Sequence, residues 1–316
     1  MKVLCVGELM VDIIVHPVEK VSFDNDAEQV EAITVKSGGD ANNNAIDLVK
    51  LGNQVYYVGR VGNDVLADYV LGIAKKQGVN VDYVRRSPSA EQPKSLILIN
   101  SERNRTFLQY PGSSAEFCFE DIDLSLLDQV DALQIGGTFH LPSFDGVGAA
   151  KLLRLAQEKG VITSMDVTKD PTGRWNEIIA PCYPYLDYFL PSIEQAECIA
   201  KTSDEREIAD FLLARGVKTV VIKMGSRGCY YKSGDQAFYC DCYRVPVAET
   251  TGTGDAFVAG FLTAVSKGLS PEDCVRLATA TSAHAVQAFG ATEGVPDYET
   301  VQAFIDARPP LTFSYC

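Results

Sequence analysis

Glu249-Thr250-Thr251-Gly252-Thr253-Gly254-Asp255-Ala256-Phe257 runs directly into Val258-Ala259-Gly260-Phe261-Leu262-Thr263-Ala264-Val265. The second part is almost entirely apolar, so it reads as a helix buried on most sides. Two glycines and a carboxylate stand before it. Gly252 and Gly254 permit positive φ and let backbone N–H groups approach a ligand with no Cβ in the way. A helix start carries orphan donors and a partial positive charge. Together they predict a cradle for an anion whose charge is spread over several oxygens, such as a phosphoryl group in transfer. Asp255 sits inside that cradle. It also suits a plain N-cap, but a cap needs neither the Gly-x-Gly before it nor a buried helix behind it. A carboxylate of ordinary pKa, near ~3.9, is a weak base for an alcohol. In a loose phosphoryl-transfer transition state the proton leaves late, so position counts for more than basicity.

Outward from this helix, strand-like apolar runs alternate with helix-like segments. Residues 3–6, 55–61, 132–135, 161–165, 188–190 and 217–222 read as strands. Residues 41–51, 65–77, 146–159 and 205–215 have helical spacing and stop at or next to Gly52, Gly78, Gly160 and Gly216, as helix C-termini do. Two long helical segments fill 252–287, and a last one covers 297–307. This rhythm predicts an α/β fold with a mainly parallel sheet and helices on both faces. The opening run, residues 1–15, is apolar but interrupted by Glu8 and Asp12. It reads as a buried strand, not as a signal or spanning helix. Two stretches, 13–36 and 81–110, break the rhythm with alternating segments such as Ser95-Leu96-Ile97-Leu98-Ile99-Asn100. They read as antiparallel strands without intervening helices, a small inserted sheet placed as a lid. The expected division is a core of residues 1–12, 37–80 and 111–316, and a lid of 13–36 and 81–110.

At 316 residues the chain allows two domains, or one large domain with an elaboration. Hydrophobic residues at 46% and charged residues at 22% are ordinary for a globular protein. The formal charge, 28 − 42 = −14, repels phosphate backbones and anionic lipid surfaces. Nucleic acid and membrane are therefore disfavoured as partners. Nine scattered cysteines, with no export signal, fit reduced thiols in a cytoplasm.

Competing motifs are absent or incomplete. No Gly-Lys dipeptide occurs, so there is no Walker A loop. Gly252-x-Gly254-x-x-Phe257 lacks one glycine of a dinucleotide fingerprint and lies near the wrong end of the chain. His16, His140 and His284 are not at ligand spacing, and no Gly-x-Ser-x-Gly elbow appears. Cys240-x-Cys242 has no second ligand pair, which argues against zinc. A second glycine cluster, Ser37-Gly38-Gly39-Asp40-Ala41-Asn42-Asn43-Asn44, opens a helix with amide side chains behind it. Such amides both donate and accept, which suits a neutral polyhydroxylated ligand as well as a plain cap. Asp12, just past the first strand, lies where open α/β sheets bind ligands and could accept from two hydroxyls. Lys223-Met224-Gly225-Ser226-Arg227-Gly228 follows a strand and reads as a tight turn that could pass under a nucleotide.

Gly38-Gly39 with Asn43, Gly62-x-Asp64, and the late Thr250-Thr251-Gly252-Thr253-Gly254-Asp255 resemble, in this order, both signatures of the ribokinase-like (phosphofructokinase B) carbohydrate kinases. The resemblance implies a three-layer α/β/α core with a β-sheet lid, ATP with Mg2+, and transfer of the γ-phosphoryl group to a sugar or nucleoside hydroxyl. It implies that Asp255 is the base and that the amides of Gly252, Thr253 and Gly254 are the anion hole. Asp12, Gly38, Gly39 and Asn43 would hold the sugar. Asp166, in a variant of a sugar-kinase segment, would join them. Lys223, Gly225, Ser226 and Gly228 would line the nucleotide, with Thr279 in the adenine region. Thr251, Ala285 and Gly290, with Glu249, fall where the family often binds a monovalent cation such as K+. The chain departs from the family at Glu249, where Asp is usual. Ser192-Ile193-Glu194-Gln195 stands where Asn-x-x-Glu is usual near magnesium, and Glu194 or Glu197 is the candidate substitute.

The acceptor is less legible. Arg103 and Arg105 lie on the expected lid, and Arg105 is a candidate contact for an acceptor hydroxyl, carboxylate or phosphate, or else a solvated arginine. Phe107, Tyr110 and Phe139 could floor a pocket for a nucleoside base. The reading that follows is a cytoplasmic ATP-dependent kinase of a small free sugar, dimeric through paired lid edges. A nucleoside kinase of the same fold, a non-catalytic ligand-binding relative and a dehydrogenase stay as alternatives.

Overall fold

The computed structural model describes residues 1–24, 26–102, 104–234 and 236–316. Arg103 lies outside the described residues. The strands are β1 Lys2–Gly7, β2 Met10–His16, β3 Ala32–Gly38, β4 Gln54–Val58, β5 Arg60–Val61, β6 Arg85–Arg86, β7 Lys94–Ile99 and β8 Arg105–Tyr110, then β9 Ala132–Thr138, β10 Ile162–Val167, β11 Tyr188–Phe189, β12 Thr219–Lys223, β13 Cys229–Ser233, β14 Gln236–Cys240 and β15 Phe313–Tyr315. The α-helices are α1 Asp40–Lys50, α2 Val65–Lys76, α3 Val147–Glu158, α4 Asn176–Ile179, α5 Ile193–Ala200, α6 Glu205–Leu213, α7 Thr253–Ser266, α8 Pro271–Ala285 and α9 Tyr298–Asp306.

The main sheet has the order β15-β14-β13-β12-β11-β10-β9-β1-β4. From β4 to β12 every neighbouring pair is parallel, and the remaining three pairings are antiparallel. Alternation along β1 divides the core. Val3 and Cys5 pack with residues of α1, α7 and α8, while Leu4 and Val6 pack with residues of α3, α5 and α6. A sheet with both faces covered in this way is the expected three-layer α/β/α core. Among the described residues no helix is long and apolar enough to cross a membrane.

The apolar opening run is not one strand. It breaks after Gly7, whose φ of 149° and missing Cβ (one would stand 1.9 Å from Gly136 O) allow a sharp exit from the main sheet. β2 then enters a second, four-stranded sheet of order β3-β2-β7-β8. Asp12 is therefore carried by this small sheet rather than by the loop after β1. The small sheet also takes in Met10 and Gly38, beyond the expected bounds. The stretch before β7 stays outside it, because β6 pairs with β5 instead. Two of its pairings are antiparallel, as expected, but β2 and β7 run parallel.

One buried group has no structural counterpart in the expectations. Asp47 on α1 is fully buried, and neither carboxyl oxygen has a hydrogen-bond partner among the described residues. Burial raises its pKa well above the usual range, with Lys50 pulling it down and Glu293 pushing it up. A carboxyl kept protonated only in the fold stabilises most below its unfolded pKa. That contribution is lost as pH rises, by up to about 1.4 kcal/mol per unit. Asp47→Asn removes this slope. Its melting temperature is expected to gain on the native protein between pH 5 and pH 8, and thermal melts at both values check it.

Candidate active site

α7 starts at Gly252, whose φ of 74° is left-handed. A Cβ there would stand 2.0 Å from Ala291 O, so only glycine lets residues 290–294 cross the mouth of this helix. The N–H groups of Gly252, Gly254 and Asp255 have no protein partner among the described residues. The Thr253 N–H instead turns back to Thr250 O at 3.4 Å, joined there by its own hydroxyl at 2.9 Å. Of the three amides expected in the anion hole, Thr253 is thus the one already engaged, and the Asp255 amide stands free beside the other two.

Asp255 is buried on the first turn of α7. Its Oδ2 accepts from Asn43 Nδ2 at 2.8 Å, and its carbonyl accepts from Asn44 Nδ2 at 3.2 Å. Gln134 Nε2 holds Asn44 Oδ1 at 3.2 Å. The asparagine run of α1 therefore fixes the carboxylate of α7. Asn43, expected on the sugar, keeps only its buried, unpartnered Oδ1 for any ligand. Burial raises the Asp255 pKa well above the usual carboxylate range. Asp40 and Asp166 push further up, while Asn43 and Lys223 pull down.

Asp166 ends next to β10's last residue and pairs with Lys223 Nζ at 2.9 Å. Lys223 closes β12, and a Cβ on Gly254 would stand 3.3 Å from its Nζ. The ammonium is thus beside the cradle, where an anion would lie. Burial raises the Asp166 pKa, and Lys223 opposes it. Asp12 faces Gly38 so closely that a Cβ there would be 2.1 Å from its Oδ2. Gly39, at φ 94°, passes Glu8 O, which a Cβ would approach to 2.5 Å. Asp12 is pushed up to about 7 by burial, then by Glu8, Asp40 and Glu249. Asp40, the first residue of α1, is likewise pushed up to about 7 by burial, then by Asp166 and Glu8.

Three residues of this crevice escaped sequence reasoning: Glu8, Asp40 and His140. Glu8 directly follows β1, and Asp40 directly follows the glycine pair. Those positions were the available signal, since carboxyl ends of parallel strands gather ligands. His140 carried none, because its partner Glu8 is 132 residues away.

The small sheet is tied down on the far side. Arg105 of β8 donates to Thr251 Oγ1 at 2.8 Å, and Lys36 of β3 pairs with Glu293 at 2.8 Å. Arg105 thus meets the loop before the cradle. Glu249 accepts from the Thr251 hydroxyl at 2.5 Å and from Gly290 N at 2.9 Å. Both of its oxygens already have protein donors. Ala285 O lies against Gly294, where a Cβ would come within 2.8 Å.

The remaining expected residues are more scattered. Gly225 and Ser226 are exposed in a single 3-10 turn after Lys223, and Gly228, at φ 84°, passes under Cys240 O. Thr279 is buried in α8 with its hydroxyl unpartnered. Glu194 is exposed on the first turn of α5. Ser192 and Gln195, the departures from the family motif, cap that helix reciprocally, with Ser192 N to Gln195 Oε1 at 2.7 Å. The three aromatics do not converge. Phe107 and Tyr110 point to opposite faces of β8, and Phe139 packs on Trp175 with ring centroids 5.3 Å apart.

Curated relatives match this chain over most of its length. An uncharacterized sugar kinase of Archaeoglobus fulgidus is 30% identical over 254 residues, covering 79% of this chain and 98% of its own. The 2-dehydro-3-deoxygluconokinase of Bacillus subtilis is 28% identical over 296 residues, covering 89% and 90%. Among solved structures, Arabidopsis thaliana ribokinase complexed with ribose and ATP superposes with a TM-score of 0.82 at 23% identity, covering 97% of this chain and 99% of that one. That likeness is one of fold. The pfkB family carbohydrate kinase model matches residues 1–298. The chain therefore belongs to the pfkB family of carbohydrate kinases.

Proposed function

We propose that the protein transfers the γ-phosphoryl group of ATP to a hydroxyl of a small sugar. The observation that carries this reading is the buried Asp255 carboxylate beside free main-chain donors at the mouth of α7. Asp255 orients the acceptor hydroxyl and takes its proton. The amides of Gly252, Gly254 and Asp255, with Lys223, stabilise charge on the moving phosphoryl oxygens. Asn43 and Asn44 hold the aspartate so that little reorganisation is needed. Among the described residues, no three or more His, Cys, Asp or Glu are grouped to hold a metal ion. Asp166 and Glu194 are the candidate carboxylates that would hold a magnesium ion brought on the triphosphate, which would there offset phosphate charge. The turn at Gly225, Ser226 and Gly228, with Thr279, is our candidate for the nucleotide side, and Asp12, Gly38 and Gly39 for the sugar. Glu249, Thr251, Ala285 and Gly290 stay as the candidate monovalent-cation site; the two internal donors to Glu249 compete with an ion there. A coupled assay of ADP release against sugars and nucleosides tests the whole reading. Sugar-dependent release supports it. Release with nucleosides alone moves it to a nucleoside kinase. Ligand binding with no release across the panel leaves a non-catalytic relative.

We further propose that the small sheet is the lid and that two copies meet through it, in a cytoplasm that keeps the nine free cysteines reduced. Edge pairing was the initial ground for a dimer; the exposed face offers a stronger one. Val35, Ile13, Leu96 and Leu108 form an apolar row across all four strands, exposed at Val35 and Leu108 and half-buried at Ile13 and Leu96. Leu108 is 60% exposed and neighbouring Ile33 is 64% exposed. A face of this kind is unusual on a monomer, and a twofold copy would cover it with itself. Light scattering is expected to give about twice the 34.3 kDa chain mass. Leu108→Lys is expected to return it to the monomer, and a native monomer would end the proposal.

A further inference from the structure

Three described non-glycine residues have a left-handed backbone: Phe139 at φ 86°, Trp175 at 33° and Lys201 at 63°. Lys201 is a helix C-cap, where that conformation is common. Phe139 and Trp175 have no such setting. Strain of this kind persists only where the surroundings impose it, and it gathers at functional sites. Here two carboxylates impose it. Asp145 Oδ2 accepts from Phe139 N at 3.0 Å and from Leu141 N at 2.9 Å. Asp170 Oδ2 accepts from Trp175 N at 2.6 Å. The two aromatic rings consequently meet edge to face, and both are nearly buried.

The residue delivered by this turn is His140. Its Nδ1 faces Glu8 Oε2 at 3.0 Å, and the Glu8 carboxylate is almost fully buried. Glu8 follows β1 and His140 follows β9, which are adjacent parallel strands, and Asp166 stands near the end of the next one. All three therefore lie at the carboxyl edge of the sheet, on the crevice that also holds Asp12 and Asp40. Burial alone would lower the His140 pKa. The Glu8 hydrogen bond and charge, with Asp40 and Asp145, outweigh it and lift the value to about 9. At neutral pH the ring is an imidazolium, which donates from both nitrogens and accepts from neither. Nδ1–H is taken by Glu8. Nε2–H has no protein partner among the described residues.

Asp12, Asp40 and Asp255 around this crevice are carboxyls, which in their ionised form accept from hydroxyls, while the donors Lys223 and Asn43 are already committed to Asp166 and Asp255. His140 recognises the opposite kind of oxygen. We propose that His140 is the residue that selects the acceptor, its Nε2–H binding an acceptor-only oxygen, the carbonyl or carboxylate of an oxo- or acid sugar. This rests on the kinase reading above and names the substrate class of the same site. Glu8 holds the imidazolium, and Asp145 and Asp170 are positioning residues that set the turn and the ring pair beside it. An acceptor lacking that oxygen leaves the charged donor unpaired in a half-buried place, and sites built on such a bond reject the analogue strongly.

The test compares matched open-chain acceptors of equal carbon number: an alditol, the aldonate with a carboxylate only, the ketose with a carbonyl only, and the 2-oxo aldonate. Binding is read by calorimetry and turnover by ADP release. At least one of the three oxygen-bearing acceptors is expected to bind tenfold or more tightly than the alditol, and the order among them tells carboxylate from carbonyl. His140→Leu alone leaves Glu8 buried without its counter-charge, so Glu8→Gln with His140→Leu, which has no donor at position 140, is the paired variant, with a melting temperature to show that it folds. It is expected to abolish the tenfold preference, with the loss falling on acceptor KM more than on kcat. Equal affinity for all four acceptors in the native protein, or a preference that survives in the folded double variant, overturns the role of His140. Normal binding preference without ADP release from any acceptor overturns the kinase reading instead.

Discussion

Asp255→Asn is expected to fold normally and to lose ~10³-fold or more in kcat, the scale set by a positioned proton acceptor together with preorganised charge. The fold should tolerate the change because asparagine is isosteric. Its amide oxygen can still accept from Asn43 Nδ2, which now bonds Oδ2 at 2.8 Å, and the backbone carbonyl keeps Asn44. The variant even removes a buried ionisable group that Asp40 and Asp166 destabilise. What it cannot do is take a proton from an alcohol. The native pH profile carries a second signature of the same group. The base works deprotonated and its pKa is raised, so the acid limb of kcat/KM should lie above the ordinary carboxylate range. Steady-state kinetics with circular dichroism checks both points. Near-native turnover by the asparagine variant would remove Asp255 from the chemistry.

Gly252→Ala should be nearly as damaging, by a different route. The residue has φ 74°, and an alanine Cβ would sit 2.0 Å from Ala291 O and 2.6 Å from Ala291 C. Both atoms are backbone, so no side chain can swing away. Either the mouth of α7 or residues 290–294 must shift. A forced left-handed non-glycine costs of order 1–3 kcal/mol before the clash is counted. Any shift also moves the Gly252, Gly254 and Asp255 amides. Loss of one aligned donor at an oxyanion site costs about 10²–10³-fold in kcat. The expected result is a lower melting temperature together with at least that loss, measured on the soluble fraction. Gly254→Ala is the informative contrast. Its φ is not positive, and its Cβ would meet only the flexible end of Lys223 at 3.3 Å. A smaller effect on stability is expected there, with kcat still reduced because the ammonium is displaced. Equal and mild effects at both glycines would argue that neither backbone shapes the cradle.

Much of this was legible from local signals. The helix starting at residue 253 shows in its apolar run, and its cradle in the glycines just before it. Most parallel strands and their Gly-stopped helices show in periodicity, because burial on both sheet faces leaves near-continuous apolar runs. Other parts were legible only in part. The end of the first strand at Gly7 shows in an apolar run that Glu8 and Asp12 interrupt, but only the nearby Gly136 carbonyl shows why a glycine is needed there. Ser192-x-x-Gln195 departs from the family motif and is also a capping-box pattern of its own, which the start of α5 bears out. Asn43 reads as a sugar contact by the family resemblance, and the sequence gives no sign of its second bond. Its partner, Asp255, lies 212 residues away.

Residue order alone settled the kind of chemistry: a helix mouth softened by glycine, an aspartate within it, and a layered sheet to carry both. Those features depend on neighbours a few positions apart, and backbone preference and burial periodicity act over that range. Folding settled the state of each functional group. Which amides remain open, which carboxyls are raised, and which cation answers Asp166 or Glu8 all depend on residues brought together from distant strands. Electrostatic and hydrogen-bond energies fall off over a few ångströms of space, not of chain, so that part could be read only once β1, β9, β10 and β12 stood side by side with α1 and α7 at their carboxyl ends.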